Sequence, residues 1–426
     1  MQSSDKPRVA FYLPSLSGGG AEKVTLFLIQ EFVRNEYPVD LILNKKKGPY
    51  LANVPDGVRI FELSRSSKLS ARLLAWRAFP EDRGLLSRTV VFTRKSLMTL
   101  SKLPALVGYL ASERPTVLVS ALWYSNVLAI WARTLAQVDT RLAVTEHNTL
   151  SLTLADYLST QTRDRRTKQM SELIRRLYSR ADSIVAVSNG VAEDLAATTG
   201  LARGRVQMIY NPVITAAIVG LAESAIDNEW CENRAVRVIL AIGRLNTQKN
   251  FSTLIDAFHR VRAEKSDLRL IILGEGPLRS ELESQIARLG LTDDVLLPGW
   301  VDNPYSYMSR ARMLVLSSLW EGLPTVLIEA LACGCPVVAT DCPSGPREIL
   351  AEGRYGSLIE PGDVDALADA INQTVESSID KTVLKQRAGD FSITAGFDAY
   401  QDLVDKLAAQ SGTEDKPHTG SRRELV

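Results

Sequence analysis

The chain has 426 residues, with 50 Lys and Arg side chains against 49 Asp and Glu, for a formal net charge of +1. Hydrophobic residues make up 45% and charged residues 23%, which excludes collagen-like chains, disordered chains and small disulfide scaffolds. At about 150 residues per domain, this length predicts two or three domains, each able to bury a core of its own.

The first half of the chain reads as alternating strands and helices. Short apolar runs predict buried strands at Val9–Leu13, Val39–Leu43, Thr116–Ser120, Leu142–Thr145 and Ile184–Val187. Helical patterns cover 21–35, 96–113, 125–136, 168–180 and 190–198. Residues 115–132 carry no charge over 18 positions, near the length of a membrane span. A polar Tyr-Ser-Asn break in the middle favours a strand, a turn and a helix instead.

The second half repeats this scheme more regularly. Strands are predicted at Val236–Ile242, Leu268–Leu273, Val295–Leu297, Met313–Leu316, Val337–Ala339 and Ser357–Ile359, with helices between them such as Phe251–Ala263 and Leu278–Leu289. Continuous apolar strands separated by helices indicate parallel sheets covered on both faces. We therefore predict two doubly wound α/β domains, over 1–210 and 211–389, and a disordered polar tail over 410–426.

Formal charge is divided unevenly between these halves. Residues 1–210 hold 29 Lys and Arg against 18 Asp and Glu, a net +11, whereas residues 211–426 hold 21 against 31, a net −10. Basic side chains concentrate in 65–102, with Trp76, Phe79 and Phe92 interleaved, and in 163–180. Basic segments with aromatic residues are typical of surfaces that lie on anionic bilayers, although an ordinary solvated basic face gives the same pattern.

Cysteine and histidine are scarce, which limits metal chemistry. Cys231, Cys333, Cys335 and Cys342 form no pair of ligand motifs, and none of the three histidines lies near them in sequence. We interpret them as small buried thiols in a reducing cytosol. The N-terminus has no apolar stretch typical of a secretory signal, so a cytoplasmic location is expected.

Three motifs follow predicted strands, where the ligands of open parallel sheets bind. Ser15–Glu22 (SLSGGGAE) follows the first strand and opens a helix, so its glycines let backbone N–H groups approach an anion. It matches neither a P-loop nor the dinucleotide-binding pattern, and a tight strand-to-helix turn explains it equally well. In 243–250 (GRLNTQKN), Arg244 and Lys249 place two cations on one loop, which suits a diphosphate.

The third motif is 321–329 (EGLPTVLIE), after the strand Met313–Leu316. Pro324 suits the first turn of a helix that ends near Cys333, and backbone N–H groups lie at the positive end of that helix. Glu321 lies in the loop and Glu329 within the helix, so the two carboxylates can accept hydrogen bonds from two different polyol groups. A carboxylate on an otherwise apolar helix is costly to bury without a partner, so a paired core acid is the alternative for Glu329.

In this order, these motifs resemble the retaining glycosyltransferases of family 4, over residues 8–408. The resemblance implies the GT-B fold, with two facing Rossmann-like domains, a cleft between them, and a last helix near 390–408 that crosses back onto the first domain. It implies transfer of a sugar from a nucleoside-diphosphate sugar, commonly a uridine diphosphate sugar, to a glycan acceptor. That acceptor is often lipid-linked, as in the biosynthesis of surface polysaccharides and glycoconjugates.

The resemblance also implies roles for individual residues. Arg244 and Lys249 bind the diphosphate, Glu329 the ribose and Glu321 the donor sugar. Gly19 and Gly20 line the cleft, and His147 lies beside the donor sugar. The remaining implied residues are the backbone of Gly322, Leu323, Pro324 and Thr325 toward the donor, Asn148, Ser188 and Asn189 along the cleft, and more weakly Glu348, for which helix capping is the alternative.

The resemblance implies a metal-independent reaction with no cofactor. Arg244, Lys249 and a helix N-terminus can stabilise the negative charge that develops on the leaving phosphate. Asp363 and Asp365 imitate a metal-binding Asp-x-Asp, but Asp363 follows Pro-Gly at a position typical of a helix N-cap. The resemblance also implies retention of anomeric configuration, and no nucleophile is obvious in the sequence. The account favoured for that family is same-face attack, in which the leaving phosphate accepts the proton of the acceptor.

Other classes of function remain open from the sequence. A GT-B sugar-nucleotide epimerase needs further acids or histidines for proton transfer, and this chain offers few. A binding-only relative is expected to lose Arg244, Lys249 or the glutamate pair, and all are present. Nucleic acid is an unfavoured partner because no reader motif occurs. We expect a nucleotide-sugar donor, a glycan or lipid-linked acceptor, and a peripheral position on the inner face of the cytoplasmic membrane.

Overall fold

A computed structural model describes residues 6–91, 99–160 and 164–411. Residues 210 and below build a seven-stranded sheet, and a six-stranded sheet follows from residue 237. Every pairing between neighbouring strands is parallel in both sheets. The predicted fold class of two doubly wound domains is therefore confirmed.

The first domain has seven strands and eight α-helices among its described residues. The strands are β1 Val9–Leu13, β2 Val39–Leu43, β3 Arg59–Glu62, β4 Val117–Ala121, β5 Arg141–Glu146, β6 Ser183–Ala186 and β7 Val206–Met208. The helices are α1 Gly20–Arg34, α2 Lys68–Ala78, α3 Arg83–Leu86, α4 Leu103–Glu113, α5 Trp123–Ala136, α6 Leu150–Leu158, α7 Arg165–Tyr178 and α8 Asn189–Thr199. The strand order β3-β2-β1-β4-β5-β6-β7 reverses direction between β1 and β4.

The second domain repeats this arrangement with six strands. These are β8 Arg237–Ile242, β9 Leu268–Leu273, β10 Val295–Gly299, β11 Met313–Leu316, β12 Val337–Thr340 and β13 Ser357–Ile359. From residue 217 the helices are α9 Ala217–Glu223, α10 Glu229–Glu232, α11 Phe251–Glu264, α12 Arg279–Arg288, α13 Tyr305–Arg310, α14 Thr325–Ala332, α15 Pro346–Ile349, α16 Val364–Glu376, α17 Lys381–Gly389 and α18 Ile393–Ser411. The order β10-β9-β8-β11-β12-β13 reverses between β8 and β11.

Central strands agree with the predictions to within a residue or two, whereas two edge strands were missed. β3 has exposed residues at both ends and half-buried residues between them, and β7 has only three residues, so neither has the continuous apolar run of a central strand. The segment 115–132 forms β4, a turn and most of α5, as predicted. Of the helix expected over 96–113, residues 96–98 lie outside the described residues, and α4 begins at Leu103 after a 3₁₀ turn at Leu100–Lys102.

The last helix, α18, packs against the first domain. Phe397 lies with its ring centroid 5.1 Å from that of Phe32 on α1, and Asp405 accepts a 2.8 Å hydrogen bond from the hydroxyl of Tyr37. The chain therefore crosses between the domains twice. The two crossings are hydrogen-bonded together, with the Ile393 amide 3.0 Å from the carbonyl of Ile214. Of the tail predicted over 410–426, residues 412–426 lie outside the described residues, and 410–411 end α18.

Candidate functional site

Two helix N-termini face each other across the cleft between the domains. Helix α1 begins at Gly20 after β1, and helix α14 begins at Thr325 after β11. A Cβ atom placed on Gly20 would lie 3.7 Å from the Thr325 hydroxyl oxygen. Pro324, the N-cap residue of α14, provides no side-chain hydrogen bond to the first turn. Positive helix ends thus converge on one volume, which favours an anion there.

The glycine loop after β1 fits closely against the second domain. Gly18 has a φ of +104°, and a Cβ atom at this position would lie 2.5 Å from the ring of Trp300. The carboxylate of Glu22 accepts a 3.0 Å hydrogen bond from the Gly19 amide and one of 3.1 Å from the Ser15 hydroxyl. Burial raises the pKa of Glu22. The loop is therefore held in place by its own chain and leaves Gly20 at the cleft.

Lys249 and Glu321 form an ion pair at the edge of the second sheet. Lys249 Nζ lies 2.5 Å from Glu321 Oε1, which also accepts a 2.7 Å hydrogen bond from Ser318. The carboxylate is 6% exposed. Within the described parts of the chain, Oε2 of Glu321 has no hydrogen-bond partner. One oxygen is thus fixed by protein, and the other remains available to a sugar hydroxyl.

Glu329 pairs with a cation of the first domain that the sequence did not suggest. Lys23 Nζ, on α1, lies 2.7 Å from Glu329 Oε1, on α14. The ammonium also lies 4.9 Å from the ring centroid of Tyr305. Glu329 is 4% exposed, so the ion pair compensates a carboxylate that would be costly to bury alone. The pair joins the domains beside the predicted ribose site.

The loop that carries Glu321 is fixed to the first domain by its backbone. The Glu321 carbonyl accepts a 2.6 Å hydrogen bond from the Thr149 hydroxyl, and the Gly322 carbonyl accepts one of 2.9 Å from Ser188. Asn148 and Gly322 form an antiparallel β-bridge. A Cβ atom on Gly322 would lie 2.1 Å from the carbonyl oxygen of His147, so only glycine fits. Asn148, Ser188 and Gly322 therefore form the contact between the domains.

His147 follows β5 and directs one ring nitrogen to a partner. Its Nε2 lies 2.9 Å from the Thr145 hydroxyl oxygen, whose own hydrogen is donated to the Ser120 carbonyl at 3.0 Å. Nε2 must therefore carry the proton and donate it. Nδ1 is buried and has no partner among the described residues, and burial lowers the pKa of His147 to about 4. At neutral pH, His147 is an uncharged imidazole with one free acceptor nitrogen.

Glu348 caps a helix of the opposite domain. Its carboxylate accepts hydrogen bonds from the amides of Asn189 at 3.0 Å and Gly190 at 2.9 Å, at the start of α8. The Tyr210 hydroxyl donates a third hydrogen bond at 3.1 Å. Of the two interpretations of Glu348, the structure supports capping, although the capped helix lies 159 positions away along the chain. The backbone of Asn189 is occupied by the same contact.

Arg244 is exposed at the mouth of the cleft, and it has no ion-pair partner in the described parts of the chain. Tyr124, in the first turn of α5, is close enough to both Arg244 and Glu22 for their charges to act on its hydroxyl. The sequence did not single out Tyr124 or Lys23. The only available signal for Lys23 was its position one turn after the glycines. The arrangement offers an anion two cations and two helix ends, and it offers hydroxyl groups two half-paired carboxylates.

The described residues provide neither a metal-binding cluster nor a membrane-spanning helix. In the residues described, no group of three or more His, Cys, Asp or Glu side chains is placed to hold a metal ion. Asp363 caps α16 by accepting a hydrogen bond from the Ala366 amide at 2.9 Å. Over the same residues, no helix has the length and apolar character needed to cross a bilayer.

The two basic segments of the first domain differ in their pairing. In 163–180, Arg175 and Arg176 bind Glu172, Arg176 also binds Asp82, and Arg180 binds Glu81. In 65–102, two of the described cations, Arg65 and Lys102, form no ion pair with the described residues. Phe92 lies outside the described residues. The number of charged residues in the sequence therefore overstates the unpaired positive charge of 163–180.

Two family models match the chain in succession. The model described as Glycosyltransferase Family 4 matches residues 18–217, and the model described as Glycosyl transferases group 1 matches residues 212–390. The first match includes the glycine loop and His147. The second includes Arg244, Lys249 and both glutamates. Their border lies at the first crossing between the domains.

The chain is similar in sequence to bacterial glycosyltransferases and similar in structure to a protein solved with UDP. The chain is 29% identical to the N-acetylgalactosamine-N,N'-diacetylbacillosaminyl-diphospho-undecaprenol 4-alpha-N-acetylgalactosaminyltransferase of Campylobacter jejuni, over 89% of this chain and 93% of that protein. It is 28% identical to the lipopolysaccharide 1,6-galactosyltransferase of Salmonella typhimurium, over 47% of this chain and 54% of that protein. The solved structure of Anabaena HepE with UDP and glucose superposes with a TM-score of 0.70 at 18% identity, over 94% of this chain and 100% of that chain. Together, the fold, the two family matches and these relatives identify the chain as a glycosyltransferase of the GT-B fold.

Proposed function

We propose that this glycosyltransferase moves a sugar from a uridine diphosphate sugar to a lipid-linked glycan acceptor, with retention of anomeric configuration and without a metal ion. The observation that carries the proposal is the convergence of the α14 N-terminus, Arg244 and the Lys249–Glu321 pair at one sheet edge. A diphosphate there would lie among cations and backbone N–H groups, with the glutamates beside it. The HepE structure, which contains UDP, supports the choice of nucleotide.

The proposed chemistry follows from where charge develops. The acceptor hydroxyl oxygen bonds to the anomeric carbon, the bond from that carbon to the β-phosphate oxygen breaks, and the phosphate takes the hydroxyl proton. Negative charge grows on the leaving phosphate, where Lys249, Arg244 and the helix N-terminus stabilise it. The charge of Lys249 and the helix N-terminus are held in place by the fold before the reaction, so these groups need little reorganisation as negative charge develops on the phosphate.

Retention is proposed through attack on the face from which the phosphate leaves. Glu321 has one oxygen bound by Lys249 and Ser318, which makes it a weak nucleophile. His147 is uncharged at neutral pH, with its proton on Nε2 and its Nδ1 buried, so it is a poor general base, and we assign it a position beside the donor sugar. The proton therefore passes to the leaving phosphate.

The acceptor and the membrane location are proposed from the first domain. The C. jejuni relative is named for a glycan on diphospho-undecaprenol, a lipid carrier. Residues 1–210 carry a net +11, which suits an anionic membrane surface. We assign the protein to surface polysaccharide or glycoconjugate synthesis on the inner face of the cytoplasmic membrane. Flotation with anionic vesicles tests the location, and an absence of binding at low salt would contradict it.

A panel of nucleotide sugars with bacterial lipid extract tests the reaction. We expect release of UDP from one UDP-sugar only when the extract is present, and equal release in excess EDTA. Nuclear magnetic resonance of the product should show the anomeric configuration of the donor. Inversion, dependence on added metal, or a change of the sugar nucleotide without transfer would each contradict the proposal. The last outcome would indicate an epimerase.

A further inference from the structure

A basic depression of about 550 Å³ lies in the first domain, outside the donor site. We propose that it binds the diphosphate headgroup of the lipid-linked acceptor. Five cations, namely Lys45, Lys46, Lys47, Arg65 and Lys102, line it together with one carboxylate, that of Glu62. The inference rests on the proposed function for the identity of the lipid. The anion chemistry rests on the depression itself.

The carboxylate of Glu62 offsets only part of the positive charge of the depression. Lys45, Lys47 and Arg65 are exposed, and none of them forms an ion pair with the described residues. Lys102 is only 6% exposed, and its ammonium donates a hydrogen bond to the Leu63 carbonyl. Burial and the nearby charges of Arg65 and Lys45 lower the pKa of Lys102. A bound anion would relieve this repulsion, and such a site favours multiply charged oxyanions.

The depression lies at the edge of the sheet that faces the cleft. Lys45–Lys47 follow β2, and Arg65 follows β3, so both segments extend from the carboxyl ends of parallel strands. The Lys47 carbonyl accepts a 3.0 Å hydrogen bond from the Leu16 amide in the glycine loop. Gly48 packs so tightly there that a Cβ atom would lie 1.9 Å from the Leu16 carbonyl oxygen. A headgroup in the depression would therefore lie next to the loop that borders the donor.

Apolar side chains beside the depression favour a lipid over a free anion. Helix α2 begins three residues after Arg65, and Leu69 and Leu73 on it are 78% and 45% exposed. Ser66 anchors the start of this segment, with its amide 2.8 Å from the Ser101 carbonyl, next to Lys102. Exposed leucines adjoining a cationic depression match a ligand with a charged head and a hydrocarbon chain.

A second basic depression in the first domain has its positive charges paired. It measures about 310 Å³ and is lined by Arg175, Arg176 and Arg180, together with the acids Glu81 and Asp82. Its arginines are held by these acids and by Glu172. An anion there would have to displace an existing carboxylate. The depression around Lys102 has no such competitor beyond Glu62, and this is why we assign the headgroup to it.

Calorimetric titration of the full chain tests the site with three probes: farnesyl diphosphate, inorganic diphosphate and farnesol. Each titration is run in saturating UDP so that the donor site is filled. We expect farnesyl diphosphate to bind at least tenfold more tightly than inorganic diphosphate, and farnesol to bind weakly. Equal binding of the two diphosphates would overturn the lipid assignment and leave a site for free phosphate. Equal binding of farnesol would overturn the anion assignment.

The variant Lys47→Ala/Arg65→Ala removes two exposed charges and leaves no buried group unpaired. The affinity for farnesyl diphosphate should fall by roughly tenfold or more, since each charge-assisted contact makes a large contribution to binding. Arg165→Ala/Arg166→Ala removes the same charge from the exposed start of α7 and should change binding less than twofold. Unchanged binding in the first variant, or equal loss in both, would overturn the site.

Donor binding separates this inference from the proposed function. UDP should bind Lys47→Ala/Arg65→Ala as it binds the wild type, because neither side chain belongs to the donor site. Loss of farnesyl diphosphate with UDP binding retained supports the depression. Absence of UDP binding in the wild type would defeat the proposed function, while the difference in inorganic diphosphate binding between the wild type and Lys47→Ala/Arg65→Ala would still report on the depression.

Discussion

The two sheet edges that border the cleft hold their charges in different ways. On the second domain, Lys249 forms an ion pair with Glu321, and Glu329 forms an ion pair with Lys23 of the first domain across the cleft. On the first domain, Lys45 and Arg65 are exposed, Lys102 is buried beside them, and none of the three forms an ion pair with the described residues. Paired charges orient each other and can recognise hydroxyls as well as phosphate. Unpaired cations bind any sufficiently charged anion, so the two edges differ in selectivity.

Breaking the pair at the second edge should have the largest effect. Lys249→Ala is expected to lower kcat by about 10²- to 10³-fold, because it removes a fixed charge from the leaving phosphate. Steady-state release of UDP measures this. Lys265→Ala, which removes a cation from an exposed pair with Glu376, is the control and should remain near wild type. A loss of less than tenfold in Lys249→Ala would contradict the assignment.

The first domain contributes the neutral imidazole of His147, whose burial should make the stability of the protein fall in acid. Because the pKa of His147 falls from 6.5 to about 4 on folding, the unfolded chain takes up the proton first. The stability contributed by the neutral ring is present above about pH 6.5 and is lost as pH falls toward 4. Wild type should therefore lose on the order of 2 kcal/mol relative to His147→Gln between about pH 7.5 and 4.5. Urea unfolding at both pH values measures it, and parallel losses would refute it.

The bridge between the two edges can be tested by removing Lys23. Lys23→Met leaves the buried carboxylate of Glu329 without its cation, and we expect KM for the donor to rise about tenfold, as for a lost charge-assisted hydrogen bond. Lys23→Arg should restore most of the affinity. The double variant Lys23→Met/Glu329→Gln should cost less than the sum of the single changes. A lower KM in Lys23→Met would mean that the pair competes with the ribose.

The smallest effect is expected where first-domain cations are already paired. Arg175→Ala removes an arginine that shares Glu172 with Arg176. Such exposed pairs are screened by solvent and contribute little to stability. The fraction of Arg175→Ala that floats with anionic vesicles should differ from wild type by less than twofold, whereas that of Lys47→Ala/Arg65→Ala should clearly fall. If Arg175→Ala affects flotation as strongly, paired and unpaired charges act alike, and the contrast between the regions fails.

The sequence was sufficient for features that depend on neighbouring residues along the chain. Central strands, the turn at Gly18–Gly20 and the α14 N-terminus each carry a local pattern of apolar runs, glycine or proline. Contacts between distant positions carried no such signal. Lys23 meets Glu329 across 306 positions, and Glu348 caps α8 across 159. Edge strand β3 was missed because solvent covers part of it, so its sequence lacks the apolar run of a central strand.

The returning helix α18 has a consequence for the order in which the protein can fold during synthesis. Phe397, Tyr400, Leu403, Val404 and Leu407 belong to the same buried cluster as Val9, Phe11 and Phe32. The first domain therefore lacks part of its core until the ribosome has made residues almost 200 positions beyond its last strand. The second domain can complete its sheet earlier. We infer that the half made first is the half completed last, and that the nascent first domain exposes an apolar groove until α18 emerges.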